Sequence, residues 1–246
     1  MTAFFFLFGL VVGSFLNSVT YRLDTGESII KSRSHCPHCK KTLSWFELIP
    51  LMSFIFQRGK CRGCGKKISW QYPLVELATG LLFSLCFLYF PQNLMTSVVY
   101  CLFAGFLIII FVYDLKHYII PNEVIYPAII VAGIWCIVSG ILTTFLSAIF
   151  AGLFFLAIVL VSKGKWMGIG DVKLVFFMGL VLGWPNIFVA LFLAFLIGAF
   201  VSVILIILKK KTLKSEIPFG PFLVGATFIA MFWGNVLISW YVNLLS

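Results

Sequence analysis

Two aspartates stand in the part of this sequence that can least easily hold a charge. Asp114 follows the apolar run Leu102–Tyr113, and Asp171 precedes the apolar run Val172–Leu182. From Leu77 to the C-terminus there are only four acidic residues, and these are two of them. An ionisable side chain at membrane depth is costly and by default indicates a functional site. A pair of aspartates suggests carboxylate chemistry.

Each aspartate also has an ordinary structural interpretation. Asp171 could be a helix N-cap, a position that favours aspartate, and Asp114 could be an interfacial residue at a helix end. Alternatively, two neighbouring carboxyls in a low-dielectric region share one proton, because both cannot easily ionise. One can then take a proton from water while the other donates a hydrogen bond to a carbonyl oxygen, as in an aspartic protease. The titration of such a pair belongs to both groups, so neither aspartate has a fixed role.

The residues around Asp171 are candidates for supporting roles in such a site. Gly168 and Gly170 would give the backbone freedom to turn sharply before the helix. Lys173 would bias the local charge, although it could equally be an interfacial cation.

Four cysteines have the spacing of a metal site. Cys36 and Cys39 form one C-x-x-C pair, and Cys61 and Cys64 form another, with residues 40–60 between the pairs. This pattern predicts one tetrahedral Zn²⁺ with four thiolate ligands, which is structural because no position is left open for water. Two disulfides are the alternative. They are disfavoured because the charge distribution places this loop in the cytoplasm, a reducing compartment.

The two cysteine pairs lie in segments that resemble each other. We therefore expect two similar knuckles related by approximate symmetry around one metal ion, with His35 or His38 as possible replacements for one ligand. The aligned positions are Cys36 with Cys61, Cys39 with Cys64, Lys41 with Lys66, Leu43 with Ile68, Ser44 with Ser69 and Trp45 with Trp70.

The composition is that of a membrane protein. Of the 246 residues, 62% are hydrophobic and 11% are charged, whereas soluble domains are about 25% charged. A spanning helix needs about 20 mostly apolar residues. The sequence predicts an all-α, polytopic membrane bundle of about eight transmembrane helices, one of them short, with a cytoplasmic four-cysteine zinc loop. The predicted helices cover residues 3–21, 74–90, 95–113, 123–140, 144–162, 172–184, 187–208 and 222–243.

The basic residues lie on one side of these predicted helices. The positive-inside rule makes that side cytoplasmic and puts both termini outside. The net charge of +10 is therefore a topology signal, with anionic-lipid contact as a secondary role, and it does not indicate nucleic-acid binding. All 18 Lys and Arg fall within residues 22–73, 114–122, 163–171 and 209–221 or at Lys173.

This topology brings both aspartates to the cytoplasmic edge. The third predicted helix runs inward and ends at Asp114, and the sixth runs outward and begins at Asp171. Ion or proton transport would favour carboxylates near the midplane, and a non-enzymatic zinc scaffold would give neither aspartate a function.

Met1–Leu10 carries no basic residue, so we expect a retained anchor and not a cleaved signal peptide.

A series of short motifs runs in order along almost the whole chain. They are Gly13–Asn17, Tyr21–Leu23, the four cysteines, Trp45–Leu51, Gln71–Leu77, Asp114-Leu115 with Ile120-Pro121, Gly168–Lys173 and Ile217–Pro221. Together they resemble the bacterial type IV prepilin peptidases, the bifunctional leader peptidase/N-methyltransferases. One departure is Asp24, where the family usually has Pro, and it affects a turn and not a catalytic residue.

The resemblance implies that Asp114 and Asp171 are the catalytic pair of a G-x-G-D membrane aspartic protease in the bacterial cytoplasmic (inner) membrane. Its implied substrates are membrane-anchored prepilins or pseudopilins, whose short basic leader is cut just before the apolar helix. The predicted domains are then a first transmembrane helix (1–22), a cytoplasmic zinc-binding loop (23–73) and a transmembrane peptidase core (74–246).

The resemblance also implies methylation of the new N-terminal amine, with S-adenosylmethionine as the methyl donor. Four polar residues near the cytoplasmic face of the N-terminal half are candidates for this site, although interfacial capping or charge pairing explains each equally well. They are Asn17, Arg22, Glu47 and Glu76.

Overall fold

The computed structural model describes residues 1–28, 33–91, 93–140, 142–209 and 217–245, and within them the regular elements are helices. Residues 210–216, part of a loop predicted to be basic and cytoplasmic, lie outside the described residues. A 3-10 helix, Trp45–Leu48, precedes α2. The α-helices are α1 (Thr2–Thr25), α2 (Met52–Phe56), α3 (Gln71–Tyr89), α4 (Leu94–His117), α5 (Asn122–Ser139), α6 (Leu142–Ser162), α7 (Ile169–Leu182), α8 (Asn186–Ile207) and α9 (Gly220–Leu245).

In the described part of the chain, seven helices are long and apolar enough to cross a membrane. This confirms the polytopic helical bundle. The sequence predicts about eight spans, and the remaining one corresponds to α7, which has 14 residues. A helix of this length is about 21 Å long, which is shorter than the roughly 30 Å hydrocarbon core. Because α7 begins at Ile169 and not at residue 172, Asp171 lies inside its first turn.

The chain forms two compact units, Met1–Ile109 and Ile110–Ser246, with the boundary inside α4. In the first unit α1 and α3 pack with their backbones in close approach. A Cβ on Gly9 would lie 2.8 Å from the Cα of Gly80. Gly9 and Gly13 form a G-x-x-x-G pattern, which lets membrane helices approach closely.

The second unit is built around α7, which packs against α5, α6, α8 and α9. Leu174, Phe177 and Met178 of α7 are fully buried. Gly179 lies so close to α6 that a Cβ there would overlap the backbone of Ala148. A helix that is apolar on all sides belongs in the interior of a bundle. The first turn of α7, which carries Asp171, is therefore held by packing along the rest of the helix.

Candidate active site and metal centre

Asp114 lies in the last turn of α4 and is 4% exposed. Its carboxylate rests against Gly220, the first residue of α9: a Cβ at position 220 would lie 2.5 Å from Oδ2 and 3.0 Å from Cγ of Asp114. Oδ2 of Asp114 has no hydrogen-bond partner among the described residues. Burial of a carboxylate oxygen without a hydrogen-bond partner is costly, which makes Asp114 a candidate functional residue.

Asp171 lies at the start of α7 and is partly exposed. Its Oδ2 accepts a hydrogen bond of 3.2 Å from the backbone N–H of Gly168. Gly168, and not Asp171, is therefore the N-cap residue of α7, and Asp171 accepts its N–H from the third helical position. The carboxylates of Asp114 and Asp171 lie within electrostatic range of each other.

The turn between α4 and α5 packs onto the first turn of α7. A Cβ on Gly170 would lie 3.2 Å from Cβ of Ile120. Lys173 donates a hydrogen bond of 2.7 Å to Oδ1 of Asn122, and its ammonium lies 4.6 Å from the ring centre of Tyr126. Lys173 is thus directed to α5, where it ties α5 to α7 beside the aspartates.

The glycines before Asp171 have a different physical role from the one expected. Gly168 has φ −82° and ψ 157°, an extended conformation that any residue adopts, and Gly170 is part of the helix. The freedom to turn sharply is therefore not what requires glycine at these positions. At Gly170 the requirement is space, because a Cβ would lie closer to Ile120 than ordinary van der Waals contact.

Gly220 is the site residue that was missed from the sequence. It appears there only as part of the Ile217–Pro221 motif, with no role assigned. In the structure its missing side chain leaves the room that the Asp114 carboxylate occupies. The start of α9 therefore joins the end of α4 and the start of α7 as the third element of the site.

This arrangement suits acid–base chemistry. One carboxyl is buried and the other is partly exposed and hydrogen-bonded, so their environments differ, and carboxyls in different environments can divide the roles of acid and base. Both lie at ends of helices and not midway along a span.

The four cysteines form a separate cluster in the first unit, with their sulfur atoms all within 4.8 Å of one another. The Sγ atoms of Cys36 and Cys64 are 3.9 Å apart, and those of Cys39 and Cys61 are 4.0 Å apart. A tetrahedral zinc with bonds of 2.3 Å places its sulfur ligands about 3.8 Å apart, whereas a disulfide bond is about 2.05 Å long. All four cysteines are free, and the cluster could hold a metal ion.

The expected similarity of the two knuckles is confirmed by the backbone. The N–H of Cys36 donates to the carbonyl of Lys41, and the N–H of Cys61 donates to the carbonyl of Lys66, each at 2.9 Å. An isolated antiparallel bridge accompanies each knuckle at equivalent positions. These bridges are His35 with Thr42 and Lys60 with Lys67.

Backbone donors favour the charged form of groups in this loop. The N–H groups of Cys64 and Gly63 lower the pKa of Cys61 to about 6, whereas at Cys39, against the N–H of Lys41, burial and the neighbouring thiols raise the pKa to about 11. The N–H of Ser44 donates a 2.9 Å hydrogen bond to Glu47 and, with the nearby Lys41, lowers the pKa of Glu47. Glu47 is therefore an ionised, buried part of the loop.

The other methyl-transfer candidates are buried as well. Asn17 donates a hydrogen bond of 3.1 Å to the carbonyl of Tyr72, and this bond joins α1 to α3. Glu76 accepts a hydrogen bond of 2.8 Å from the N–H of Leu51, and Arg22 lies in the last turns of α1. Asn17, Glu47 and Glu76 thus each make contacts that hold the fold.

Comparisons with known proteins address the family of the chain. Residues 7–90 match the bacterial peptidase A24 N-terminal domain, and residues 101–203 match the type IV leader peptidase family. A prepilin leader peptidase/N-methyltransferase of Bacillus subtilis is 34% identical over 249 residues, covering 99% of both chains. The chain belongs to the type IV leader peptidase family.

Other members of this family are similar over nearly the same length. The prepilin leader peptidase/N-methyltransferase of Aeromonas hydrophila is 31% identical over 97% of this chain and 92% of its own. That of Pseudomonas aeruginosa is 30% identical over 96% of this chain and 92% of its own. No solved structure matches the chain. The leader peptidase match includes Asp114 and Asp171, whereas Gly220 lies beyond it.

Proposed function

We propose that this member of the leader peptidase family removes the leader from membrane-anchored prepilins or pseudopilins and N-methylates the new N-terminus. Its relatives carry the name of both activities. The observation that carries the peptidase assignment is the setting of Asp114. Its carboxylate is buried against the start of α9 and within electrostatic range of Asp171.

The catalytic roles proposed for Asp114 and Asp171 follow from a shared proton. The ionised carboxylate takes a proton from water as the water oxygen attacks the carbonyl carbon of the scissile peptide. The protonated carboxyl donates a hydrogen bond to the carbonyl oxygen. When the tetrahedral intermediate collapses, the C–N bond breaks and a proton passes to the leaving amine. Gly220 positions Asp114, whereas Gly168, Gly170 and Lys173 hold the turn that carries Asp171.

The proposed site of cleavage is the cytoplasmic edge of the membrane. Both aspartates lie at ends of helices that are followed or preceded by basic residues, such as Lys116 after Asp114 and Lys165 before Asp171. The positive-inside rule then places these ends, and the zinc loop, in the cytoplasm and both termini outside. A leader peptide is cut in this position if its own apolar helix stays in the bilayer.

The alternative of ion- or proton-coupled transport is not supported. The relatives that match the chain over nearly its whole length are leader peptidases. A transport pathway would also need carboxylates deep in the bilayer, and Asp114 and Asp171 lie at the ends of their helices.

For the second activity, S-adenosylmethionine supplies the methyl group to the new N-terminal amine. We place this site in the N-terminal half, where Asn17, Arg22, Glu47 and Glu76 remain the candidates. Glu76 is the strongest of them, because a buried carboxylate in a membrane helix is costly. Its hydrogen bond to Leu51 would let it position the loop beside the methyl donor.

The metal proposed for the cysteine cluster is Zn²⁺ in a structural role. Cys36, Cys39, Cys61 and Cys64 supply four thiolates, which complete a tetrahedron. The proposed organisation is then a first helix (1–22), a zinc-stabilised loop (23–73) and a peptidase core (74–246). A loop of this size with few buried apolar residues needs such a cross-link.

The test is mass spectrometry of a prepilin incubated with the purified protein and S-adenosylmethionine. Cleavage before the apolar helix and a mass increase of one methyl group on the new N-terminus are expected. Incubation without S-adenosylmethionine should give the cleaved, unmethylated product. An intact substrate in both reactions, with protein that is folded in the membrane, would contradict the proposal.

A further inference from the structure

The polar loop between α1 and α3 exposes large apolar side chains. Trp45 is 78% exposed and Phe56 is 75% exposed, although neither belongs to a membrane span. We call residues 45–56 together with Trp70 the apolar rim. A water-facing loop rarely exposes so many large apolar groups in one short segment. The other exposed members are Phe46, Leu48, Ile49, Met52, Ile55 and Trp70.

The apolar rim is attached to the membrane-spanning part of the first unit. The N–H of Leu51, in the middle of the segment, donates a 2.8 Å hydrogen bond to the carboxylate of Glu76 in α3. Glu76 itself packs on α1, because a Cβ on Gly13 would lie 2.7 Å from its Cα. The segment is therefore held at the level of the first two turns of α3, where Leu74 and Leu77 are exposed.

The charges of the loop complement an anionic surface. Within residues 33–70 the only acidic side chain is Glu47, which is buried. The guanidinium of Arg62 lies 4.9 Å from the ring centre of Phe46, so a cation borders the apolar rim directly. Apolar and aromatic groups next to cations are typical of segments that lie in the membrane interface. The exposed cations are Arg33, Lys40, Lys41, Arg58, Lys60, Arg62, Lys66 and Lys67. Two of them are ion-paired, Lys40 with Glu27 at 3.9 Å and Lys41 with Glu47 at 3.7 Å.

We propose that the apolar rim inserts into the cytoplasmic leaflet, at the boundary between headgroups and acyl chains, with Arg58 and Arg62, the cations next to the rim, on anionic headgroups. The lipid is favoured as the partner because the rim is continuous with the lipid-facing side of α3. The zinc cluster then fixes the shape of a membrane-bound loop and not of a domain that projects into the cytoplasm. This inference rests on the proposed orientation and not on the peptidase activity.

Photo-crosslinking tests the inference with the full-length protein in nanodiscs that contain phosphatidylglycerol. Benzoylphenylalanine replaces Phe56, and Trp45 in a second variant; both side chains are exposed, so the fold tolerates the change. Replacement of Leu88, an exposed residue of α3, is the lipid-facing control. Replacement of Lys66, on the turn of the second knuckle, is the water-facing control.

The expected result is a lipid adduct at Phe56 and at Trp45 that is as abundant as the adduct at Leu88. The variant with benzoylphenylalanine at Lys66 should give almost no lipid adduct. Addition of a prepilin should leave the lipid adduct unchanged. Three results would overturn the inference: a prepilin adduct that replaces the lipid adduct, an adduct with a second copy of the chain, or no adduct at either rim position. Cleavage of prepilin, measured on the same samples, reports separately on the proposed function.

Discussion

Replacement of Gly220 with Ala should impair cleavage while leaving the protein folded. The added Cβ would lie 2.5 Å from Oδ2 of Asp114, and ordinary van der Waals contact begins at 3.4 Å. The carboxylate or the start of α9 must therefore move by about 0.9 Å, the difference between these distances. Because side-chain torsions give way more easily than the backbone of α9, movement of the carboxylate is the easiest relief, and it displaces the reacting group.

The expected loss of cleavage rate follows from this displacement of the carboxylate. A misplacement of about 1 Å in a catalytic group can reduce the rate about 100-fold, so cleavage by Gly220→Ala should fall by about this factor. The cost to stability is that of moderate overpacking, roughly 1–3 kcal/mol. The matched control is Gly225→Ala in the same helix, where a Cβ would have no neighbour within 4 Å.

The assay compares initial rates of prepilin cleavage by the two variants in the same detergent, with thermal unfolding as the measure of folding. Methylation of a substrate that has already been cleaved provides a second measure that does not need the aspartates. Cleavage by Gly220→Ala as fast as by Gly225→Ala would show that Gly220 does not position Asp114, and the proposed role of Gly220 is then refuted. It is also refuted if both cleavage and methylation fail together with loss of folding.

Other changes should have effects of different kinds. Cys61→Ser should lower the zinc content from about one ion per chain, measured by elemental analysis, and unchanged zinc would contradict a four-thiolate site. Gly13→Ala should destabilise the contact of α1 with α3 by roughly 1–3 kcal/mol and lower the melting temperature, because its Cβ would lie 2.7 Å from the backbone of Glu76. The control is Gly133→Ala, whose Cβ has no neighbour within 4 Å. It should leave the melting temperature unchanged. Glu76→Gln should slow methyl transfer and spare cleavage, as measured by mass spectrometry of both products, and equal loss of both would assign Glu76 to the fold alone.

The helices and the cysteine cluster could be predicted from the sequence because local signals specify them. Apolar runs of membrane length predict helices, and two C-x-x-C pairs predict a cluster of four sulfur ligands. The short α7 is the exception to the rule that an apolar run predicts a spanning helix. Its apolar run continues to Leu182, but the helix is too short for an ordinary span, because it ends at Gly183, which has φ 65° and is followed by Trp184 and Pro185.

The contact of Gly220 with Asp114 could not be predicted, because it joins the end of one helix to the start of another far along the chain. The role of Gly170 was misjudged for a similar reason: its neighbour Ile120 comes from another turn. The exposure of Trp45 and Phe56 is also a tertiary property. An apolar residue in a polar loop predicts a small buried core, and only the fold establishes which face is left open.

Asp114 and Asp171 are proposed to act together in peptide hydrolysis. The most direct measurement is cleavage of a membrane-anchored prepilin by Asp114→Asn and by Asp171→Asn, with methylation of a previously cleaved prepilin as the control for folding. Each variant should lose cleavage and keep methyl transfer. Cleavage at the wild-type rate by either variant would contradict this proposal.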